Sequence, residues 1–327
     1  MPHTLPSPGR GEGKGERGMA LVLTLLVLVL LVTAVLEFDR STRTMVKAAG
    51  NFRDGMKAFH LATSGIAAAQ ALLKDDLVRH GGRDDLTELW ATPLPPYPLG
   101  DGTVAAWIQD EGGKINVNAL VTPSGTKPSV PLQIEQLKRL FRLKGLDPAP
   151  VDAIVDWLDR DEIEEPSGAE SAYYERLDRP YRCRNGRMDT LAELHLVKGI
   201  SDEVYRTISP YLTVYTSDES INVNTADPVV LQTLPVLGQD GAVAFPLDDK
   251  QVETIVDVRP FAAKGDLSKV PGMTSGVVSQ LLPRITVASS WFSVYAEGEA
   301  NGVKKGVLAV VDRSRGEPVL KYWRLAD

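Results

Sequence analysis

One cysteine, Cys183, stands in a chain of 327 residues, so no intramolecular disulfide can form even in an oxidising compartment. Histidine is also sparse: His3, His60, His80 and His195 make four, and none sits in a His-Glu-x-x-His helix. His195, in Ala192-Glu-Leu-His-Leu-Val197, reads as a surface or packing residue. Gly-x-Ser-x-Gly and the phosphate-binding loop are missing as well, which removes sequence support for metalloprotease, hydrolase and nucleotide chemistry. There is no excess of cations. With 36 Lys and Arg against 43 Asp and Glu the formal charge is −7, a sign that disfavours nucleic acid unless basic residues gather on one face. Proline is absent from Glu37 to Leu77, which leaves a helix free to run through.

What is present begins with an apolar run from Met19 to Leu36, broken only by Thr24 and Thr33 and preceded by Arg10, Lys14 and Arg17. As a helix it would be roughly 27 Å long, close to the ~30 Å hydrocarbon core of a bilayer. Three readings compete. A cleavable secretory signal has a shorter apolar core and a small-x-small site, of which Val32-Thr33-Ala34 is a poor version. A single-span anchor fits the length, and the basic leader keeps the N-terminus in the cytoplasm. A prepilin-type signal explains in addition why Gly18 stands where the basic leader stops, with cleavage between Gly18 and Met19. Losing residues 1–18, three basic and two acidic, would take the charge from −7 to −8. Gly11-Glu-Gly-Lys-Gly15 lies in this leader with no strand before it and reads as linker rather than phosphate loop.

Beyond the run, Met45, Ala49, Phe52, Met56, Phe59, Ile66, Leu73 and Leu77 recur at intervals of three, four or seven, a helical stripe. A helix continuous from Met19 to Leu77 would extend roughly 90 Å, too long for a membrane span alone. Gly50, Gly55 and Gly65 weaken it by up to ~1 kcal/mol each. The stretch Thr92 to Gly102, with Pro93, Pro95, Pro96 and Pro98, reads as a linker or rigid loop. Thr103 to Asp110 reads as a strand, and Trp291 to Glu297, Lys304 to Asp312 and Val319 to Leu325 as an antiparallel meander. Between them the sequence is mostly helical, with patterns at Leu132 to Leu143, Pro150 to Leu158, Leu191 to Val197, Glu203 to Ile208, Val229 to Leu234, Lys250 to Val258 and Gly276 to Leu282. Strands flanking a long helical stretch imply a helical insertion.

Ile115-Asn-Val-Asn118 and Ile221-Asn-Val-Asn224 form a weak internal repeat, read as a helix-start signal used twice with Asn224 or Thr225 as the cap. Val270-Pro-Gly-Met-Thr-Ser-Gly276 resembles the hairpin of helix-hairpin-helix or sterile-alpha-motif-like units; few cations follow it, so a structural use is favoured over DNA binding. Between Asp156 and Glu170 lie Asp156, Asp159, Asp161, Glu162, Glu164, Glu165 and Glu170 against Arg160 alone. Such carboxylates repel one another unless solvated or bridged by a cation such as calcium, and the spacing is not that of an EF-hand.

Arg17-Gly18-Met19-Ala20-Leu21, the long helix, Ile115-Asn-Val-Asn118, Val155-Asp-Trp-Leu-Asp-Arg-Asp161, Gly168-Ala-Glu170, Ala172-Tyr-Tyr174, Pro180-Tyr-Arg182, Leu191-Ala-Glu-Leu194 and Ile221-Asn-Val-Asn-Thr-Ala226 occur in that order. Together they resemble the protein K family of the general secretory pathway, the large minor pseudopilins of bacterial type II secretion systems. The resemblance implies an α+β pseudopilin fold, a long transmembrane helix packed on a small antiparallel sheet that carries a large inserted helical, SAM-like domain. It divides the chain into a leader (1–18), a transmembrane helix (19–38), a helical spine with the first part of the sheet (39–118), an inserted helical domain (119–215), a second SAM-like unit (216–287) and the C-terminal strands (288–327). It implies a non-enzymatic subunit of the tip complex that initiates and caps the periplasmic pseudopilus for secretion across the outer membrane.

The implied partners are the minor pseudopilins I and J, a prepilin peptidase that leaves Met19 as an N-methylated terminus, and the inner-membrane secretion platform, with no nucleic acid. The implied location is the bacterial inner membrane, single-pass, N-terminus cytoplasmic and bulk periplasmic. Calcium in the inserted domain is implied too, held by Asp159, Asp161 and Glu170, with Glu165 beside them; a second cysteine for a disulfide there is lacking. Pilin-like subunits usually have glutamate at the fifth mature position, where this chain has Leu23. A carboxylate in the bilayer is costly, ~2.5 to 3.5 kcal/mol, and a subunit with no neighbour above it does not need one. Leu23 therefore marks a tip position. The competing reading is a membrane-anchored, exported helix-hairpin-helix DNA receptor.

Overall fold

The computed structural model describes residues 15–326 apart from Asp218 and Gln239. Arg10, Lys14 and the rest of the leader up to residue 14 lie outside the described residues, while residues 15–18 are already helical. The helices are α1 (Gly15–His80), α2 (Leu132–Leu143), α3 (Pro150–Leu158), α4 (Ser171–Tyr174), α5 (Asp202–Ile208), α6 (Pro228–Leu231), α7 (Asp249–Val258) and α8 (Ser275–Leu281). The strands are β1 (Leu94–Leu99), β2 (Gly102–Asp110), β3 (Ile115–Asn116), β4 (Leu212–Thr213), β5 (Ile221–Asn222), β6 (Val236–Leu237), β7 (Val243–Ala244), β8 (Ile285–Thr286), β9 (Trp291–Ala300), β10 (Val303–Asp312) and β11 (Val319–Ala326).

Two compact units divide after Lys57. In the first, every residue from Met19 to Leu36 is exposed, so that stretch is a helix apolar on all sides and long enough to cross a membrane. Its glycines do not interrupt α1, because a single Gly costs only about 1 kcal/mol in a helix of this length. The helix stops at His80, where Gly81 and Gly82 follow and Gly82 takes φ 109, a conformation that glycine adopts without a Cβ clash.

The second unit carries a five-stranded sheet of order β1-β2-β9-β10-β11, antiparallel throughout. Strand β9 alternates half-buried and buried residues, so Phe292, Val294 and Ala296 face the part of α1 that carries Ala62, Ile66, Ala69 and Leu73. Small residues bring helix and sheet together: a Cβ on Gly298 would stand 2.7 Å from the Ala62 nitrogen. Gly298→Val is therefore expected to destabilise this unit by about 1–3 kcal/mol through overpacking. The check is a lower urea midpoint at unchanged m; an unchanged midpoint would show that the helix moves away freely.

The proline-rich stretch differs from the expected loop. Leu94–Leu99 is an edge strand paired with β2, with an irregularity between Leu94 and Tyr97. Proline lacks the N–H that an interior strand must donate, but an edge strand needs donors on one side only, and prolines there also discourage pairing with another chain.

The helical insertion leaves the sheet at Asp110 and returns at Trp291. One continuous core, from Ile115 to Ile285, joins α2, α3 and the segments after them with α6, α7 and α8. The expected units 119–215 and 216–287 are thus fused, and Ile115 and Val117, assigned to the spine and sheet, belong to this core instead. The repeat explains why. Ile115, Val117, Ile221 and Val223 enter the same core, while the short parallel pairs β3–β4 and β5–β8 repeat one arrangement. In each copy the second asparagine clamps a distant backbone. Asn118 accepts from Met188 N and donates to Met188 O and Val214 O; Asn224 accepts from Phe261 N and donates to Phe261 O. Neither Asn224 nor Thr225 is the helix cap. Asp227 caps α6, accepting from Val229 N at 2.9 Å, because Asn224 is engaged in the clamp.

A polar knot holds the junction of insertion and sheet. Asp110 Oδ2 accepts from Thr225 Oγ1, Ser289 Oγ and Asn222 Nδ2, and its Oδ1 accepts from Gly112 N. Burial raises the Asp110 carboxyl against these donors. Beside it, the buried Arg313 donates to Leu73 O and Asp76 Oδ2 at 3.0 Å each, to Ser289 O at 3.3 Å and to Asp84 Oδ1.

Candidate metal centre

Helix α3 packs Val151, Ile154, Val155 and Leu158 into the core and turns its acidic residues toward the following loop. Asp156 and Asp159 are three residues apart, a spacing that puts side chains on one helical face. Asp159 is the C-cap, with extended backbone at φ −77 and ψ 176. The loop then folds back. Glu165 N donates to Asp156 Oδ2 at 3.1 Å, Gly168 N to Glu165 O at 2.9 Å, and Lys198 Nζ to Gly168 O at 2.7 Å. A Cβ on Gly168 would overlap the Asp156 carboxylate, so only glycine lets the loop close there. The return delivers Glu170, the N-cap of α4, to the two aspartates.

Asp156, Asp159 and Glu170 are all buried, and one ligand atom from each lies within 4.8 Å of the other two. Both carboxylate oxygens of Asp159 and both of Glu170 are buried with no hydrogen-bond partner. Burial pushes Asp156 up to about 6; burial, with repulsion from Asp161, pushes Asp159 up to about 6. Glu170 rises to about 8 through burial and the two aspartates. Lys127 compensates only the edge, with Nζ 2.6 Å from Glu165 Oε1 and 3.6 Å from Asp159 Oδ2. Three oxygen-donor side chains with orphaned buried oxygens fit a hard divalent cation, which would accept the lone pairs that no donor meets.

The floor is aromatic. Trp157 meets Tyr174 edge-on at 5.2 Å, and Tyr174 stacks on Tyr181 at 5.2 Å. Cys183, buried and unpaired, donates its thiol to Asp156 O at 3.3 Å, and burial raises that thiol to about 12, a structural rather than a reactive state.

The structure thus brings Asp159 and Glu170 together and adds Asp156. Asp161 is exposed and accepts from Ile163 N at 2.8 Å in a local turn, and Glu165 is drawn to Lys127, so neither belongs to the cluster. The reason is the return of the loop, which turns these two outward. Asp156 had a legible signal, its spacing from Asp159 on the pattern of α3, but its burial required the fold. Gly18 and Met19 lie exposed within α1, as does Leu23.

Residues 113–217 match the family described as type II secretion system (T2SS), protein K. A type II secretion system protein K of Pseudomonas aeruginosa is 32% identical over 289 residues, covering 83% of this chain and 80% of the relative. That of Aeromonas hydrophila is 28% identical over 293 residues, covering 86% and 88%. The fold matches a chain in the crystal structure of the GspK-GspI-GspJ complex from the enterotoxigenic Escherichia coli type 2 secretion system. There the TM-score is 0.70 at 20% identity, with 88% of this chain and 99% of that chain covered. With a spine on an antiparallel sheet, an insertion between β2 and β9 and relatives of this likeness, the chain belongs to the type II secretion system protein K family and is a minor pseudopilin of that system.

Proposed function

We propose that the mature chain begins at Met19, N-methylated after a prepilin peptidase cuts behind Gly18, and stands at the tip of a periplasmic pseudopilus with the minor pseudopilins I and J. It remains a single-pass protein of the bacterial inner membrane, N-terminus cytoplasmic and bulk periplasmic, that meets the secretion platform there and catalyses no reaction. The observation that carries this reading is the helical insertion between β2 and β9, a bulk that in this reading would block further stacking and so suits a terminal subunit. Leu23 supports it, since a terminal subunit has no partner for a carboxylate in the bilayer. The DNA-receptor reading finds no support among the relatives.

Asp156, Asp159 and Glu170 hold calcium in this reading. The ion would supply positive charge that ties α3 to the start of α4 and so makes the insertion rigid, a structural and not a chemical contribution.

The test is co-expression of the full chain with a prepilin peptidase and both partner pseudopilins, followed by intact mass and N-terminal analysis. The expected product begins at Met19, co-purifies with both partners, and stays uncut as Gly18→Val. A product that keeps its leader would sink the processing claim, and a filament with this chain repeated along its length would sink the tip position.

A further inference from the structure

Helix α1 ends on Arg79 and His80, with Asp76 one turn before. Asp76 Oδ1 stands 2.9 Å from His80 Nδ1, and Glu88 Oε1 stands 3.9 Å from the same nitrogen. All three ligand atoms lie within 4.8 Å of one another. An ion pair between Asp76 and His80 at a helix C-terminus is the simplest account, but it leaves Glu88 unexplained. Glu88 is 5% exposed, and its Oε1 is buried with no hydrogen-bond partner. Its Oε2 accepts from Trp90 Nε1 at 2.6 Å and from Asp85 N at 3.3 Å, so two donors hold the carboxylate with the free oxygen turned toward His80.

The charges point the same way. Asp76, Asp84, Asp85 and Glu88 are buried in this corner. Arg313 answers Asp76 and Asp84, and Arg83 answers Asp85 at 2.9 Å. Among the described residues, the half-exposed imidazole of His80, charged only when protonated, is the basic side chain that meets Glu88, at 3.9 Å. Burying a carboxylate with one oxygen unmatched is expensive, and a cation between Glu88, Asp76 and His80 removes that cost.

We propose that Asp76, His80 and Glu88 bind a first-row transition dication of the zinc type, at a site separate from the acidic centre of the insertion. One imidazole with two carboxylates suits zinc and its neighbours, whereas calcium takes oxygen ligands. The separations of 2.9 and 3.9 Å straddle the roughly 3.3 Å between ligands that are each ~2.0 Å from a tetrahedral ion. Outer partners are in place: Arg313 Nη1 donates to Asp76 Oδ2 at 3.0 Å and Trp90 Nε1 to Glu88. The His80 side chain is 45% exposed, which gives the ion a path in and leaves a position open to water. The bound ion would pin the end of α1 to the turn Leu89–Ala91 that precedes β1.

The experiment uses the tag-free full chain in detergent, saturated with calcium and titrated with Co²⁺ as a visible probe and Zn²⁺ as its competitor. One equivalent of Co²⁺ with a low-symmetry absorption spectrum is expected, displaced by Zn²⁺. His80→Asn, which alters a half-exposed side chain, should keep the fold by thermal melting and weaken Co²⁺ by about 100-fold or more, since loss of an outer partner alone costs 10- to 100-fold. Glu88→Gln should weaken it as well, while Zn²⁺ should raise the melting temperature of the parent and not of His80→Asn. Equal Co²⁺ uptake by parent and His80→Asn overturns the proposal, as does a parent that takes up none.

Discussion

Withdrawing calcium from the full chain in detergent is expected to lower its melting temperature by about 5–10 °C. A ligand bound only to the native state stabilises by RT ln(1 + [L]/Kd), about 2.7 kcal/mol when calcium is 100-fold above Kd, and a domain of this size shifts about 2–4 °C per kcal/mol. The sign follows from the site. Without a cation, Asp156, Asp159 and Glu170 are buried carboxylates whose charged forms burial penalises, so that deprotonation opposes folding. Asp159→Asn and Glu170→Gln should therefore lose the response to calcium. In chelator, however, they should melt no lower than the parent, because each amide replaces a buried carboxyl whose charged form burial penalises. Trp157, next to Asp156 and edge-on to Tyr174, should report the transition by fluorescence. Identical melting curves of the parent with and without chelator would sink the calcium assignment.

Arg313→Met is expected to cost about 3–5 kcal/mol, the loss that follows removal of one partner from a buried ionic network. Arg313 is 3% exposed, lies over Phe292 at 4.5 Å, and joins α1 to the segment before β9 through Leu73 O and Ser289 O. Asp84, held by Ser289 N at 2.6 Å, is raised to about 6 by burial even with the guanidinium beside it. Without Arg313 it rises further. A carboxyl whose folded value exceeds its unfolded value stabilises the fold when protonated and loses that contribution as pH rises. The deficit should then be greatest above pH 6 and shrink toward pH 4. Arg313→Met with Asp84→Asn should recover part of the loss, and the shortfall from additivity measures the coupling. Urea denaturation at two pH values checks this, and a deficit under 1 kcal/mol at neutral pH would show that the network is dispensable.

The particular residues show where reading the chain succeeds. The apolar run from Met19 to Leu36 and the absence of proline to Leu77 make α1 legible, because a helix depends on local spacing and local breakers. The meander is legible from strand-like runs separated by the segment Gly298 to Gly302, although β9 continues to Ala300 and turns only at Asn301 and Gly302, both with positive φ. The proline-rich β1 is not, since only its place at the edge of the sheet makes three prolines tolerable. The cap expected at Asn224 or Thr225 falls elsewhere because capping is a local habit, whereas the partner of Asn224, Phe261, is 37 residues away.

The amino-acid sequence by itself determined the membrane helix and its candidate cleavage bond, the order of sheet and insertion, and the family, because each is written in short-range pattern or in ordered motifs. Tertiary structure alone decided that the helical segments share one core, that Asp156 replaces Asp161 and Glu165 beside Asp159 and Glu170, and that Glu88 is carried to Asp76 and His80. Burial and cross-chain proximity settle which carboxylate lacks a donor. Both are properties of distances between residues far apart in the chain, and no local spacing encodes them.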